Sequence, residues 1–258
     1  MEINELKYLN MKKVIYSLLV GVSALLATSC MEVDNFDEPD AHFTGRIIDS
    51  TTGQNILADQ GENRIRIWEK SYSLNPANQD IPVKQDGTFN NTKLFKGTYD
   101  VVPEGAWWPC DTIRVGIGKK LEQNFEVTPY LTMFDFQMEY VNDSLTMSCR
   151  FDAPIKTGLP NIRDIRPFLS LNQFCGAGNS ISYYNTPEDA NGDPLYWKSI
   201  MTSWANIPKL QDGKSQVYSF RLPVKPGYIY FARMGARVND TQQKYNYTEI
   251  KMIEIPSK

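Results

Sequence analysis

The sequence predicts an all-β protein: two β-sandwich domains in tandem, with a short amphipathic helix inserted in the second. Three observations carry that prediction. Apolar and polar residues alternate with period two in many short segments, as expected for half-buried strands. The 16 Gly and 15 Pro are spread along the chain and divide those segments into turns. Helical spacing occurs in one stretch of the globular part, Asp193 to Pro208.

The N-terminus reads as an export signal. Lys12 and Lys13 precede the apolar run Val14–Ala27, and small residues follow before Cys30. The run is shorter than the roughly 20 apolar residues that a membrane-spanning helix needs. Met11 heads this pattern better than Met1, since residues 1–10 add acids where a signal carries base. Residues 1–29 are therefore expected to be a signal peptide. Residues 30–40 follow as a tether rich in acids: Glu32, Asp34, Asp37, Glu38 and Asp40.

Removing residues 1–29 takes away three Lys and two Glu. The remainder holds 24 basic and 28 acidic residues, a formal charge of −4. Such a chain has no basic footprint for nucleic acid. Its one histidine, His42, lies where the tether meets the first strand, a poor place for a catalytic base. No catalytic residue, cofactor or metal site is expected. Beyond Cys30 the cysteines are Cys110, Cys149 and Cys175. Cys149 and Cys175 could pair in an oxidising compartment, and buried free thiols are the competing reading.

Residues 41–129 form the first expected domain. His42–Asp49 is a strand followed by a Thr52-Gly53 turn. Asn63–Trp68 places Ile65 and Ile67 on one face, with Arg64, Arg66 and Trp68 on the other. Asp86-Gly87 marks a hairpin. Lys96–Pro103 sets Tyr99 and Val101 against Thr98 and Asp100. Segments 111–117 and 121–127 bring the count to about seven strands.

Residues 131–258 form the second. Asp143–Phe151 turns Leu145, Met147, Cys149 and Phe151 one way. Arg166–Phe174 is another strand. Pro226–Val238 puts Tyr230, Ala232, Met234, Ala236 and Val238 on one face, and Tyr247–Ile255 closes the domain. The exception is the helix, capped by Asp193, started by Pro194 and ended by Pro208. It would align Trp197, Ile200, Met201 and Trp204.

Several stretches resemble known patterns. Leu26-Ala27-Thr28-Ser29-Cys30 resembles a bacterial lipobox, which implies that Cys30 is acylated and anchors the chain to a membrane without spanning it. The acids after it resemble the export tag of Bacteroidetes surface lipoproteins, which implies an outer-membrane location. Cell surface is the first expectation and the periplasmic face the alternative. Gly45–Asp49, Thr52-Gly53, Asp86–Phe89 and Lys96–Tyr99 resemble, in that order, the carboxypeptidase regulatory-like or prealbumin-like sandwich. Pro226, Tyr230, Arg233 and Ala236 resemble the fibronectin type III pattern, in which the Tyr is structural. The whole arrangement resembles an uncharacterised two-domain lipoprotein family of Bacteroidetes, often encoded beside nutrient-uptake systems of the starch-utilisation type. That resemblance carries no activity. It adds context only; the expected partners are the membrane through the Cys30 anchor, a glycan, and outer-membrane uptake proteins.

Three site candidates follow. Trp107 and Trp108 are adjacent on an expected loop, so one ring could be buried and the other free to stack on a sugar; packing of both at the domain junction is the bland alternative. Trp68, on the outer face of its strand, joins them as a ligand-binding candidate. Asp189, Asn191 and Asp193 begin like a calcium loop, yet the glycine falls at position four and Ile200 stands where a bidentate Glu is needed, so a turn is preferred. Asp111-Thr112-Ile113 and Asp143-Ser144-Leu145 resemble the Bacteroidetes O-glycosylation sequence, which makes Thr112 and Ser144 acceptor candidates. The expected role is a non-enzymatic, glycan- or nutrient-binding accessory of an uptake complex. The alternative is an assembly protein that contacts outer-membrane partners without binding glycan.

Overall fold

A computed structural model describes residues 38–257. Cys30, the signal and most of the tether lie outside the described residues. Pro39–Lys258 is one compact unit, and among the described residues no helix is long and apolar enough to cross a membrane.

The first half holds eight strands: β1 (Ala41–Asp49), β2 (Arg64–Glu69), β3 (Asn78–Pro82), β4 (Thr88–Leu94), β5 (Gly97–Glu104), β6 (Ile113–Ile117), β7 (Lys120–Glu122) and β8 (Phe125–Val127). They form two sheets. One runs β4-β1-β7 with β8 also on β1; the other runs β3-β2-β5-β6. Between them lie Phe43, Ile47, Ile65, Ile67, Phe89, Tyr99 and Val101, all 1 % exposed or less. The alternation in β2 and β5 therefore reads directly as inside and outside. The hairpin before β4 depends on Gly87: its φ is +81°, and a Cβ there would sit 2.5 Å from the Ile56 carbonyl oxygen. The segment expected as one strand over 121–127 is two, because β7 and β8 pair with successive stretches of β1.

The second half holds β9 (Thr132–Val141), β10 (Ser144–Asp152), β11 (Ile162–Ser170), β12 (Lys198–Thr202), β13 (Tyr218–Pro223), β14 (Ile229–Val238), β15 (Tyr245–Tyr247) and β16 (Lys251–Glu254). A sheet ordered β13-β10-β9 faces a sheet ordered β12-β11-β14-β15, with β16 also on β14. Leu145, Met147, Cys149 and Phe151 from β10 meet Tyr230, Ala232, Met234, Ala236 and Val238 from β14 in one core. Tyr230 is buried, and its hydroxyl accepts the Lys225 N–H at 3.1 Å, tying the start of β14 to the turn before it.

The expected helix is absent. Lys198–Thr202 is instead the edge strand β12 on β11, and only Trp204–Asn206 makes a 3-10 turn. The edge of β11 offers backbone partners that override the helical spacing. The register shifts along this pairing, and Met201 has a φ of +46°, a bulge conformation no α-helix accepts. Trp197 and Trp204 then part company. Trp197 takes the Arg166 guanidinium over its ring at 3.6 Å, while Trp204 packs on Phe151 at 6.0 Å between ring centroids.

The outward face of β14 is buried as well, because the first sandwich covers it. Arg233 is 1 % exposed and donates to the Ala58 carbonyl at 2.9 Å, with its guanidinium 3.7 Å from the Tyr247 ring centroid. Asp59 reaches across from the first half to accept Gly178 N–H at 2.6 Å and Asn179 Nδ2 at 2.9 Å. Gly176 is required by closeness, since a Cβ there would lie 2.5 Å from the Asp59 carboxyl carbon and 2.6 Å from Arg233 Nη2.

Glu62 belongs to the same junction, accepting the Tyr247 hydroxyl at 2.7 Å and the Tyr245 N–H at 3.1 Å. Burial nevertheless pushes its carboxyl above the ordinary 4.5. The folded chain thus holds this proton more tightly than the unfolded chain. The stability it contributes is complete below the ordinary value and is lost as pH rises through the raised one. Glu62→Gln, neutral at every pH, should flatten the fall of unfolding free energy as pH rises above the ordinary 4.5. Urea melts at rising pH check this; a slope equal to the wild type's would remove Glu62 from the account.

Candidate functional site

A deep concavity lies on the second sandwich, at the end where β13 turns into β14. Its volume is about 600 Å³, within the range of small-ligand pockets. Four tyrosines line it. Pro226-Gly227 makes the turn, with Gly227 at φ +76° and its N–H bonded to the Ile255 carbonyl at 2.9 Å. Tyr228 follows, on the same side as Tyr230 two residues later, with ring centroids 6.2 Å apart. Tyr230 meets the core, while Tyr228 lies one step beyond it and is 47 % exposed.

The opposite wall comes from the loop after β11. A 3-10 turn over Ser182–Asn185 presents Tyr183 and Tyr184, whose ring centroids stand 5.4 Å apart at 78°. Tyr184 is buried and donates its hydroxyl to the Pro223 carbonyl at 2.6 Å, which pins the loop to β13. That burial raises its phenol to about 12. Tyr183 is 58 % exposed. Tyr196 backs both, 5.4 Å from Tyr184 and 6.0 Å from Tyr183 between centroids. A hydrogen bond with Tyr183, then partial burial, raises the Tyr196 phenol. The cleft thus has two exposed aromatic rings, each held by a buried tyrosine behind it. Leu171, Ile181 and Val224 give it an apolar floor, and Lys225 is the one charged residue in its lining.

The tryptophans predicted as ligand contacts lie elsewhere. Trp107 is 3 % exposed and donates its indole N–H to the Pro103 carbonyl at 3.3 Å, so neither ring face is open to a sugar. Trp108 is half-buried, packs against the core of the second sandwich and lies 5.4 Å from the Tyr130 ring centroid. The pair therefore spans the junction, one ring in each half. The cavity beside them is about 200 Å³. Trp68 is half-buried on β2, opposite Asp100 of β5 and Asn78 of β3.

The other candidates are placed as follows. Asp189 Oδ1 accepts the Asn191 N–H at 2.8 Å and the Asp193 N–H at 3.0 Å, so its carboxylate closes a turn. Thr112 is exposed ahead of β6, whereas Ser144 is 8 % exposed at the start of β10 with its hydroxyl on the Asn142 carbonyl at 3.5 Å. Of the two, only Thr112 presents its hydroxyl to a modifying enzyme on the folded chain. His42 is exposed on β1. Cys110, Cys149 and Cys175 are free thiols. Cys149 lies in the sandwich core, whereas Cys175 lies on the other side of β14 with Phe168, Tyr245 and Tyr247. Burial raises the Cys175 thiol to about 12.

Sequence reasoning missed the tyrosine cleft. Its residues come from three separate stretches, and a count of 14 Tyr does not show which of them converge. The available signal was local: Tyr183-Tyr184 and Tyr228 sit beside turn residues, where an aromatic is less often core.

Comparison with known proteins places the chain among relatives. Residues 41–128 match the N-terminal domain of a protein family of unknown function, DUF3823, and residues 131–252 match its C-terminal domain. No curated protein matches. The chain is similar to the crystal structure of a DUF3823 family protein from Bacteroides uniformis, at 24 % identity and a TM-score of 0.68, covering 84 % of this chain and 100 % of that one. It is also similar to a Bacteroides uniformis protein described as a "putative carbohydrate binding protein", at 19 % identity and a TM-score of 0.64, with the same coverage. A DUF3823 family protein from Parabacteroides merdae follows at 20 % identity and a TM-score of 0.62, again with that coverage. At these identities the structures establish the shared fold alone. The two family matches cover most of the sequence in the order of its two sandwiches, and the chain belongs to the DUF3823 family.

Proposed function

We propose that this protein is a non-enzymatic, glycan-binding lipoprotein, anchored at the outer membrane through Cys30 and serving a nutrient-uptake complex. The observation that carries the reading is the cleft of about 600 Å³ flanked by the exposed rings of Tyr183 and Tyr228. Sugars present apolar C–H faces that stack on aromatic rings, and rings held in place beforehand lose little entropy on binding. A recess between aromatic walls suits a glycan better than it suits a flat protein partner. The carbohydrate-binding description of one structural neighbour agrees with this assignment. An assembly role would instead use exposed apolar residues outside any groove. Tyr72 and Leu74, 73 % and 89 % exposed in the β2–β3 loop, are the residues that favour it.

The test is titration of the soluble fragment 31–258 against a broad polysaccharide panel by calorimetry. Tyr183→Ala and Tyr228→Ala should each weaken a saturable interaction about tenfold, or about 1.4 kcal/mol. Trp68→Ala should leave it unchanged. Binding lost in Trp68→Ala and kept in both tyrosine variants would move the site to the first sandwich. Absence of binding across the panel would leave the assembly reading.

A further inference from the structure

We propose that the tyrosine cleft selects an acidic glycan, a polysaccharide bearing uronic-acid carboxylates, and that Lys225 is the residue that recognises the charge. This rests on the glycan-binding reading above and adds the chemical class of the ligand. The chain as a whole is acidic, with a formal net charge of −3, and its surface repels anions at long range. The cleft reverses that sign: its lining contains Lys225 and neither Asp nor Glu.

The hydrogen-bonding groups of the cleft point the same way. A neutral sugar is held through hydroxyls that need donors and acceptors together, usually carboxylates or side-chain amides. The lining has no Asp, Glu, Asn or Gln. Two of its phenols are engaged in the fold, Tyr184 on the Pro223 carbonyl at 2.6 Å and Tyr230 on the Lys225 N–H at 3.1 Å. Of the side chains that remain, Lys225 carries an ammonium with three donors and no acceptor, and the exposed Tyr183 and Tyr228 carry phenols, that of Tyr183 already hydrogen-bonded with Tyr196. A donor-rich group such as the ammonium complements a carboxylate.

Lys225 is also positioned and available. Its backbone is fixed by its own N–H to Tyr230, and the following Pro226 holds it extended. Its side chain is exposed, and the lysines that form ion pairs among the described residues are Lys96, Lys156, Lys214 and Lys251. Tyr183 and Tyr228 would stack on the ring while the Lys225 ammonium meets its carboxylate.

The experiment compares matched probes. Fragment 31–258, which contains the whole compact unit, is titrated with polygalacturonate, alginate and hyaluronate, each beside its carboxyl-reduced counterpart and with neutral polysaccharides. At least one acidic polymer should bind about fivefold or more tighter than its reduced form at low salt, as one exposed ion pair provides. The preference should shrink in 1 M salt, where the screening length falls to about 3 Å. Lys225→Gln should abolish the preference, and Lys225→Arg should retain it, with the melting temperature unchanged in both. Equal, Tyr183-dependent binding of acidic and reduced or neutral polymers would overturn acid selection and leave glycan binding standing. A preference that survives in Lys225→Gln would overturn the role of Lys225. No binding by any polymer, acidic or neutral, would overturn the glycan reading and this one with it.

Discussion

Arg233→Ala should cost about 3–5 kcal/mol of unfolding free energy, the range found when one partner of a buried charge cluster is removed. Arg233 is 1 % exposed, the largest of the fully buried side chains. Its guanidinium lies on the Tyr247 ring and donates to the Ala58 carbonyl across the junction. Truncation leaves that carbonyl without its donor and withdraws the positive charge from beside Asp59 and Glu62. It also opens a cavity where the guanidinium stood, and such cavities add their own cost. Arg233→Met refills much of the volume without the charge, so it should recover part of the loss and no more. Urea unfolding measures all three proteins. The wild type should unfold in one transition because the junction couples its two halves, whereas Arg233→Ala should separate them into two. A loss under about 1 kcal/mol, with one transition kept, would show that the contact is incidental.

The same arginine marks where sequence reasoning reached its limit. Period two separated the core residues of β10 correctly, since Leu145, Met147, Cys149 and Phe151 are all 0 % exposed. In β14 it also identified the inner face. It said nothing of what covers the other face, Phe231, Arg233, Gly235 and Arg237, because alternation records only which residues are apolar. A face covered by another domain can be polar if its charges find partners, as Arg233 and Arg237 do. Gly235 was a faint sign, since a Cβ there would lie 2.9 Å from the Tyr247 ring. The missing helix has a related cause. The spacing of Trp197, Ile200, Met201 and Trp204 is helical, but an unfilled sheet edge competes for the same backbone, and periodicity carries no knowledge of that edge. The tyrosine cleft was hidden from the sequence for a third reason. Adjacent tryptophans are conspicuous in a sequence, whereas Tyr183 and Tyr228 come together only through the loops that follow β11 and β13.

Asp164→Ala should be the second large loss, again about 3–5 kcal/mol. Asp164 stands opposite Arg237 on β14, and Arg237 stands opposite Tyr245 on β15. The three form a row across the outer face of the sheet. The Asp164 carboxylate, 2 % exposed, accepts Arg237 Nη2 at 2.8 Å and Nε at 3.0 Å, and the Tyr245 hydroxyl at 2.7 Å. Arg166 approaches at 3.4 Å and Arg163 at 3.8 Å. One carboxylate therefore faces three guanidinium groups, and removing it leaves them repelling one another in a half-buried setting. Asp164→Asn keeps the shape and one acceptor oxygen, so it should fall between wild type and alanine. Because the alanine penalty comes largely from stranded cations, Arg237→Ala should relieve part of it. The double variant should lose clearly less than the sum of the two single losses, by about 1 kcal/mol or more. An exposed pair provides the internal contrast: Arg114 of β6, with its side chain 64 % exposed, pairs with Asp100 on the neighbouring β5. Arg114→Ala should cost little, and that cost should vanish in high salt, while the Asp164 penalty persists. Additive losses at Asp164 and Arg237 would mean that the row is held by packing against Tyr245 and Trp197 instead of by charge.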